Sequence, residues 1–355
     1  MRSVPNPFRG QGLPAQIGLE PGDVVIDPRP AIKLFEQCPR RDTTPLVVLD
    51  RLAADIGISA ISAKDERTRM GLGSFKSLGA AFAIAKRAAE RISRHKSHAI
   101  NRALAGETFV CASAGNHGLS VAAGARVFGA RAIVYLSNTV PDSFADRLRA
   151  YDAQVVRAGA VYEDSMAFAQ RAAIDNGWQL LSDSSWLGYS EPARDIMEGY
   201  LIMTAEVFEQ IRNPPSHVVI QAGVGGLAAA STAAIRYYWG ADPIVIIVEP
   251  YAAPALFESI QQGAPTSTSG PVSSMGRLDC KEPSHLALTY LAREADYFVT
   301  LTDQEVSVTL DQLQSYGLNT SPSGAAGISA LFHGAEHLGL TSGSHALAYI
   351  TEATA

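Results

Sequence analysis

Short runs of β-branched residues alternate with alanine-rich stretches along most of this chain. Runs of the first kind are typical of buried strands, and alanine-rich stretches are typical of helices. Because the two kinds alternate, they predict βαβ units and an α/β fold of open, mostly parallel sheets with helices on both faces. The predicted strands are TFVCAS (108–113), RAIVYL (131–136), AQVVRAG (153–159), HVVIQAG (217–223) and PIVIIVEP (243–250).

The turns that follow these strands are where a functional site is expected. Nearly every run ends in Gly, Ser or Asn. In open α/β sheets, ligands bind at the carboxyl ends of the strands. Because small and polar residues lie at those ends, we expect the functional residues in the turns rather than in the helices.

The chain divides into three predicted regions. Residues 1–40 are rich in Pro and Gly and predict an extended arm. Residues 41–110 and 161–355 predict a large domain, and 111–160 has its own strand and helix rhythm, which predicts a smaller mobile lobe. Within the large domain, the segment from about 260 to 285 predicts a long loop.

Composition favours a small-molecule partner. The 355 residues are 47% hydrophobic, enough for a substantial core, and the net charge of -6 is spread along the chain, which argues against nucleic-acid or membrane partners. Cys38, Cys111 and Cys280 form no CxxC pair, so neither a disulfide framework nor a metal site is expected. The N-terminus lacks the apolar core of a signal peptide, and no stretch reaches the roughly 20 apolar residues of a membrane span. We expect a cytoplasmic location.

A lysine follows a glycine-rich turn in KDERTRMGLGSFKSLGAAFAIAKRAAERI (64–92). Gly71 and Gly73 make the turn flexible, and Ser74 predicts a helix N-cap, so that Lys76 falls in the first turn of the helix. The positive end of the helix dipole disfavours an ammonium there, and a neutral amine can form an imine with an aldehyde. The alternative is a solvated surface lysine.

A second turn, SAGNHG, lies between a strand and a helix in residues 107–130. Its small residues let backbone N–H groups approach an anion such as a carboxylate, and the amide of Asn116 can donate to a phenolate oxygen. His117 is a candidate for catalysis, although a histidine at such a turn more often only makes structural hydrogen bonds. The candidates for substrate binding are Ser113, Ala114, Gly115 and His117.

A third turn follows the strand HVVIQ and precedes a helix. Its residues are Gly223, Val224, Gly225 and Gly226. This arrangement binds phosphate through backbone amides and the helix dipole. The spacing does not match the GxGxxG pattern of dinucleotide-binding turns. No acid that would bind the ribose of a dinucleotide is clear, and Glu249 is an imperfect candidate. A tight turn without a ligand remains an alternative.

The motifs SFK, SAGNHG and QAGVGG, in this order, resemble those of the fold-type II pyridoxal-phosphate enzymes. That group includes threonine and serine dehydratases, cysteine synthases, tryptophan synthase β-subunits and diaminopropionate ammonia-lyases. The resemblance runs from about residue 40 to 355 and is closest to the diaminopropionate ammonia-lyases, with the dehydratases next. The segments that point there include SDSSWLGY (182–189), IMEGY (196–200), MGRLDCKEPSHLAL (275–288), PSGAAG (322–327) and AYITEA (348–353).

The resemblance implies a two-lobed fold, pyridoxal 5'-phosphate as cofactor and a homodimer. In it, the large domain binds the cofactor, Lys76 carries it as an imine, and Asn116 contacts the ring hydroxyl oxygen. Gly223, Val224, Gly225 and Gly226 hold the phosphate, and Thr351 lies beside the pyridine nitrogen. A neutral hydroxyl there leaves the nitrogen unprotonated, which weakens electron withdrawal and favours prompt loss of a β-leaving group. Asp183 matches an acidic residue near the distal group of the substrate, where it could bind an ammonium or protonate a leaving group. An ordinary helix cap is the alternative for Asp183.

Two positions depart from the pattern of the ammonia-lyases. Those enzymes have an Asp just before GNHG that removes the Cα proton of the D-substrate, and this chain has Ala114. The acidic residue usually found before the SGAAG turn is replaced by Ser321 or Pro322. The first departure predicts a strong preference for one Cα configuration, the L form.

The sequence therefore predicts a β-eliminating ammonia-lyase. Its substrate would be a small, diaminopropionate-like L-amino acid with a leaving group on Cβ, and its products a 2-oxo acid and ammonia. One alternative is a serine or threonine dehydratase, and another is an enzyme that adds a nucleophile in place of the leaving group. From a different class, a non-catalytic binding protein with the same fold, or a nicotinamide-binding domain that uses the Gly223 turn, also stays open.

Overall fold

A computed structural model describes residues 1–14, 18–20, 22–95 and 99–354 of the chain. The strands are β1 (Arg2–Pro5), β2 (Leu46–Val48), β3 (Ala60–Asp65), β4 (Thr108–Ala112), β5 (Arg131–Leu136), β6 (Gln154–Arg157), β7 (Gln179–Leu180), β8 (His217–Gln221), β9 (Ile244–Pro250), β10 (Tyr297–Leu301) and β11 (His345–Ile350). The helices are α1 (Arg29–Phe35), α2 (Asp50–Ile56), α3 (Ala80–His95), α4 (Asn116–Val127), α5 (Asp142–Arg149), α6 (Tyr162–Asn176), α7 (Glu191–Gln210), α8 (Gly226–Trp239), α9 (Ala255–Gln262), α10 (His285–Glu294), α11 (Asp303–Ser315) and α12 (Pro322–Gly334). Short 3₁₀ turns lie at Arg69–Gly71, Phe75–Leu78 and Ile100–Arg102.

These strands form two sheets. The larger has the order β1-β10-β9-β8-β11-β3-β2, and the smaller has the order β6-β5-β4-β7. The edge strands β1 and β2 pair antiparallel, while the inner strands of the large sheet and all those of the small sheet pair parallel. Each of the five predicted runs contains a strand, which confirms the α/β prediction.

The smaller sheet has wider limits than the predicted lobe at 111–160. It begins with β4 at Thr108 and ends with β7 at Leu180, because β7 returns after α6 to pair with β4. A two-residue strand that pairs with a distant one leaves no local signal in the sequence. The mobility of this lobe stays a prediction.

The predicted N-terminal arm is partly built into the large sheet. Strand β1 pairs with β10, and the side chain of Asn6 donates to the carbonyl oxygens of Ala292 and Ala295 at 2.8 and 2.7 Å. The later part of the arm includes α1. Residues 15–17 and 21 of the arm, and 96–98 and 355 of the predicted large domain, lie outside the described residues.

The central strands of the large sheet are buried on both faces. Val218, Val219 and Ile220 of β8 have no exposed surface. Val218 and Ile220 belong to the core under α7, α8 and α10, whereas Val219 belongs to the core under α11 and α12. This alternation is why the strand is a continuous apolar run. None of the described helices is both long and apolar enough to cross a bilayer.

Candidate active site

The turn that carries Lys76 precedes α3 rather than forming its first turn. Ser74 accepts a hydrogen bond from the Lys76 N–H at 3.1 Å and so caps the 3₁₀ turn Phe75–Leu78, after which α3 begins at Ala80. The predicted Ser74 cap is confirmed. The predicted helical position is wrong by one element, because a separate short turn is inserted before the helix.

Two glycines let α7 pack closely against this turn. A Cβ on Gly199 would overlap the Leu78 carbonyl oxygen and would lie 2.8 Å from the Phe82 Cβ. A Cβ on Gly79 would lie 2.6 Å from the Tyr200 hydroxyl oxygen. A close-packed interior has no room for these extra atoms. The position of Lys76 is therefore fixed by a helix contact that only glycine permits.

The amine of Lys76 donates a hydrogen bond to the carboxylate of Asp183. Burial lowers the pKa of Lys76, but the charge of Asp183 outweighs it, so that the pKa lies above its ordinary value. Burial conversely raises the pKa of Asp183, but the charge of Lys76 outweighs it and holds that pKa well below the usual range. The neutral amine expected from the helix dipole is therefore wrong for this arrangement, because the lysine contacts a carboxylate 107 residues further along the chain.

The SAGNHG turn is closed by the Ser113 hydroxyl, which accepts from the N–H groups of Gly115 and Gly118 at 3.2 and 3.1 Å. Helix α4 then begins at Asn116 after Gly115, which has no side chain to cap it, and Ser113 accepts from the N–H of Gly118 in its first turn. The N–H groups of Asn116 and His117, which precede Gly118, are the ones that a carboxylate can approach. The alanine at position 114 contributes its carbonyl oxygen, which accepts from Arg277 at 3.0 Å.

His117 is anchored on one side and faces Asp183 on the other. Its Nε2 lies 2.8 Å from the Leu181 carbonyl oxygen, and its Nδ1 lies 4.0 Å from the Asp183 carboxylate. Nδ1 is buried and has no hydrogen-bond partner in the described chain. Burial lowers the pKa of His117, which favours the neutral imidazole. The structural hydrogen bond expected of this histidine is present, and the histidine also contacts the site.

The glycine turn after β8 leads directly into α8. Gly225 has a φ of 102°, and a Cβ there would lie 2.9 Å from the Ala287 Cβ. A Cβ on Gly226 would lie 3.6 Å from the Asp183 carbonyl oxygen, so the turn adjoins the segment that contacts Lys76. Within the described ranges, no side chain caps α8. Its first N–H groups are therefore available to a phosphate.

Thr351 and Glu352 follow β11 in the middle of the large sheet. The Thr351 hydroxyl accepts from the Gln221 amide at 3.4 Å, and its carbonyl oxygen accepts from the Phe75 N–H at 3.1 Å, next to Lys76. The Glu352 carboxylate accepts from the Asn116 side chain at 2.6 Å. Burial raises the pKa of Glu352 above its ordinary value.

The sequence interpretation missed Glu352, Arg277 and Cys280. Glu352 lies in the AYITEA motif, from which the sequence interpretation assigns a role to Thr351 alone. Its carboxylate also accepts a hydrogen bond from Ser321, one of the two residues that replace the acid usually found before the SGAAG turn. The other two lie in MGRLDCKEPSHLAL, within the predicted loop. The Cys280 sulfur lies 3.0 Å from the position of a Cβ on Gly223. Burial raises the pKa of its thiol to about 12.

These residues together fit a phosphorylated aromatic aldehyde. The uncapped N-terminus of α8 suits a phosphate, Lys76 supplies the amine for an aldehyde, and Asn116 and Thr351 offer polar contacts for ring substituents. The model of the pyridoxal-phosphate-dependent enzymes matches residues 39–352. The chain belongs to this family. Its cofactor is pyridoxal 5'-phosphate, and its architecture is the fold-type II architecture.

Similar proteins identify the branch of this family. The diaminopropionate ammonia-lyase of Escherichia coli strain K12 is 31% identical over 306 residues, which cover 81% of this chain and 76% of that protein. The structure of the Escherichia coli diaminopropionate ammonia-lyase in complex with D-serine has a TM-score of 0.88 and 27% identity, and covers 99% of this chain and 93% of that one.

A serine dehydratase/threonine deaminase of Mus musculus is 29% identical over 156 residues, which cover 44% of this chain and 46% of that protein. The chain is thus a pyridoxal-phosphate-dependent lyase. The nicotinamide-binding and non-catalytic alternatives are not supported, because the family match covers the whole site.

Proposed function

We propose that this lyase performs β-elimination on a small L-amino acid that carries an amino group on Cβ, and releases a 2-oxo acid and ammonia. The observation that carries the proposal is the contact of the Lys76 amine with the ionised Asp183 carboxylate, next to the glycine turn that suits the cofactor phosphate. The relatives named as diaminopropionate ammonia-lyases support this substrate class.

In this proposal the cofactor would be bound by residues from three turns and by one residue that follows β11. Lys76 would bind it covalently, the turn Gly223, Val224, Gly225 and Gly226 would hold its phosphate, Asn116 would contact its ring oxygen, and Thr351 would contact its ring nitrogen. When bound, the cofactor withdraws electrons from Cα and so makes loss of the Cα proton and of the β-group possible.

The side chains of the chain itself move and hold the protons. Once the substrate amine has displaced the Lys76 nitrogen from the cofactor, the freed ε-amine would remove the Cα proton, and the Asp183 carboxylate, which contacts it, would stabilise the resulting ammonium. Because its pKa is held low, Asp183 is ionised and suits the binding of a distal ammonium better than the protonation of a leaving group. The turn Ser113–His117 holds the substrate carboxylate through the N–H groups that are not already donated to the Ser113 hydroxyl.

Ala114 has no acid or base on its side chain, and the imidazole of His117 in the same turn is buried and held by the Leu181 carbonyl oxygen. In this proposal Lys76 removes the Cα proton and Asp183 contacts Lys76. Proton removal therefore takes place on one face of Cα, and we propose that the L configuration is the one turned over.

Product release tests the proposal. Ammonia and 2-oxo acid are measured with L- and D-diaminopropionate, L-serine and L-threonine, with and without added thiols. We expect L-diaminopropionate to be preferred, and Lys76→Ala to lose both turnover and the visible cofactor band that borohydride abolishes. A preference for serine or threonine would favour the dehydratase alternative, consumption of a thiol would favour β-replacement, and equal turnover of both enantiomers would refute the stereochemical proposal.

We also propose a cytoplasmic homodimer. Its support is a set of exposed apolar side chains on and beside α6, since Val161, Phe168 and Ile174 are 52%, 52% and 78% exposed. Such surfaces are often covered by another chain. Light scattering of the holoenzyme measures the mass, and a monomer at micromolar concentration would refute the dimer.

A further inference from the structure

Arg277 lies between the two turns that hold cofactor and substrate in the proposed function. Its N–H donates to the Ser323 hydroxyl at 3.0 Å, which fixes its backbone against α12. Its carbonyl oxygen lies 3.2 Å from the position of a Cβ on Gly223. The backbone of Arg277 therefore adjoins the glycine turn of the large sheet.

The side chain of Arg277 extends from there to the other turn. One guanidinium nitrogen, Nη1, donates to the Ala114 carbonyl oxygen at 3.0 Å. The same nitrogen lies 3.1 Å from the position of a Cβ on Gly115, and the central carbon Cζ lies 3.3 Å from it. A side chain at Gly115 would displace the guanidinium. Burial raises the pKa of Glu352, and the charge of Arg277 opposes that rise.

The guanidinium of Arg277 has no direct contact with a carboxylate in the described residues. The other cations nearby have carboxylate partners: Lys281 on the same loop pairs with Asp279 at 2.6 Å, and Lys76 pairs with Asp183. Arg277 has no ion pair in this part of the chain, and its guanidinium makes one hydrogen bond, to a carbonyl oxygen. A guanidinium has five N–H donors, so most remain available to a ligand.

We propose that Arg277 binds the α-carboxylate of the substrate, as a charged partner beside the N–H groups of the Ser113–Gly118 turn. This assignment rests on the proposed function, since it requires an amino-acid substrate. Arginine matches the planar geometry of a carboxylate with paired N–H groups. The site then offers one charge to each end of a diamino acid: Arg277 receives the carboxylate, and Asp183 receives the distal ammonium.

Binding to the holoenzyme tests the proposal without turnover. Dissociation constants for L-alanine, L-alaninamide and L-aspartate are measured from the change in the visible absorbance of the bound cofactor. We expect Arg277→Gln to weaken L-alanine about tenfold, as a charge-assisted bond at a partly exposed site implies, and to leave L-alaninamide within about twofold. Arg277→Lys keeps the charge and should recover part of the loss.

The matched control is Arg212→Gln, which removes one exposed positive charge in the segment before β8, at the end of the strand opposite to Gly223. It should bind all three ligands as the wild type does. Each variant is first titrated with pyridoxal phosphate, so that a change in cofactor affinity is separated from a change in amino-acid affinity.

Three outcomes would overturn the assignment: unchanged L-alanine binding in Arg277→Gln, equal losses for L-alanine and L-alaninamide, or a loss confined to L-aspartate. The last outcome would move the contact to a side-chain carboxylate. Ammonia release from L-diaminopropionate by the wild type is measured in parallel. If the wild type releases no ammonia, the proposed function is refuted, and the binding comparison still tests the role of Arg277. If ammonia is released but L-alanine binding is unchanged in Arg277→Gln, only the role of Arg277 is refuted.

Discussion

Replacement of Asp183 by asparagine should change the protonation of Lys76 more than any other single substitution. The variant keeps the size of the side chain and removes its charge. Two unit charges in contact attract by about 4 kcal/mol at an effective dielectric constant near 20, which corresponds to about 3 pKa units. The side chains of Lys76 and Asp183 are only 22% and 19% exposed, so solvent screens little of this. With the carboxylate gone, burial is opposed only by the weaker influence of Tyr200 and Cys280 and should lower the pKa of Lys76 below its ordinary value.

The rate at which the cofactor-free enzyme captures added pyridoxal phosphate reports this pKa, because only the neutral amine attacks the aldehyde. For the wild type, the rate should still rise above pH 10. For Asp183→Asn, the midpoint should fall by at least about 2 pH units. Asp195→Asn is the control, since it removes a carboxylate from another lysine pair, Asp195 with Lys86, on α7. An unchanged or higher midpoint in Asp183→Asn would refute the argument.

Three further substitutions test other parts of the structure. Gly199→Ala should lower the free energy of unfolding by about 1–2 kcal/mol in urea titrations, because overlap with the Leu78 carbonyl outweighs the higher helix propensity of alanine; equal stability would contradict the close contact. The pKa of buried Glu249 is raised to about 8, so the free energy of unfolding of the wild type should fall by on the order of 4 kcal/mol from this group as pH rises from about 4.5 to 8. Glu249→Gln should flatten this fall, and parallel stability curves for variant and wild type would exclude Glu249 as its cause. Ala114→Asp should raise turnover of D-diaminopropionate at least about tenfold, since a positioned base contributes 10²–10⁴-fold, and no gain would show that position 114 does not set the configuration.

Local features of this chain could be predicted from the sequence, and contacts between distant residues could not. The prediction matches β5 to the residue and β4, β8 and β9 nearly so, because strands buried on both faces are continuous apolar runs, and it also locates the partly exposed edge strand β6. The Ser74 cap follows from its position before a helix. No local pattern reports the pairing of β7 with β4, and for that reason the smaller sheet extends beyond residues 111–160.

The candidate site shows the same division. The turns at Ser113 and Gly223 could be located because small residues that directly follow an apolar strand are visible in the local sequence. The charge state of Lys76 could not, since it depends on Asp183 across the fold, and the dipole argument considered only the neighbouring helix. Arg277 lies in a segment that has no regular structure, where the direction of a side chain depends on tertiary contacts alone.

The order of strands in the large sheet has a consequence for synthesis on the ribosome. β11 follows the other ten strands along the chain, yet it lies between β8 and β3. Until it emerges from the exit tunnel, β8 and β3 each present an unpaired apolar edge, of the kind that promotes association between nascent chains. We therefore expect newly made chains to need a chaperone until β11 pairs with both β8 and β3. Because Thr351 and Glu352 directly follow β11, they join the candidate site in the same folding step.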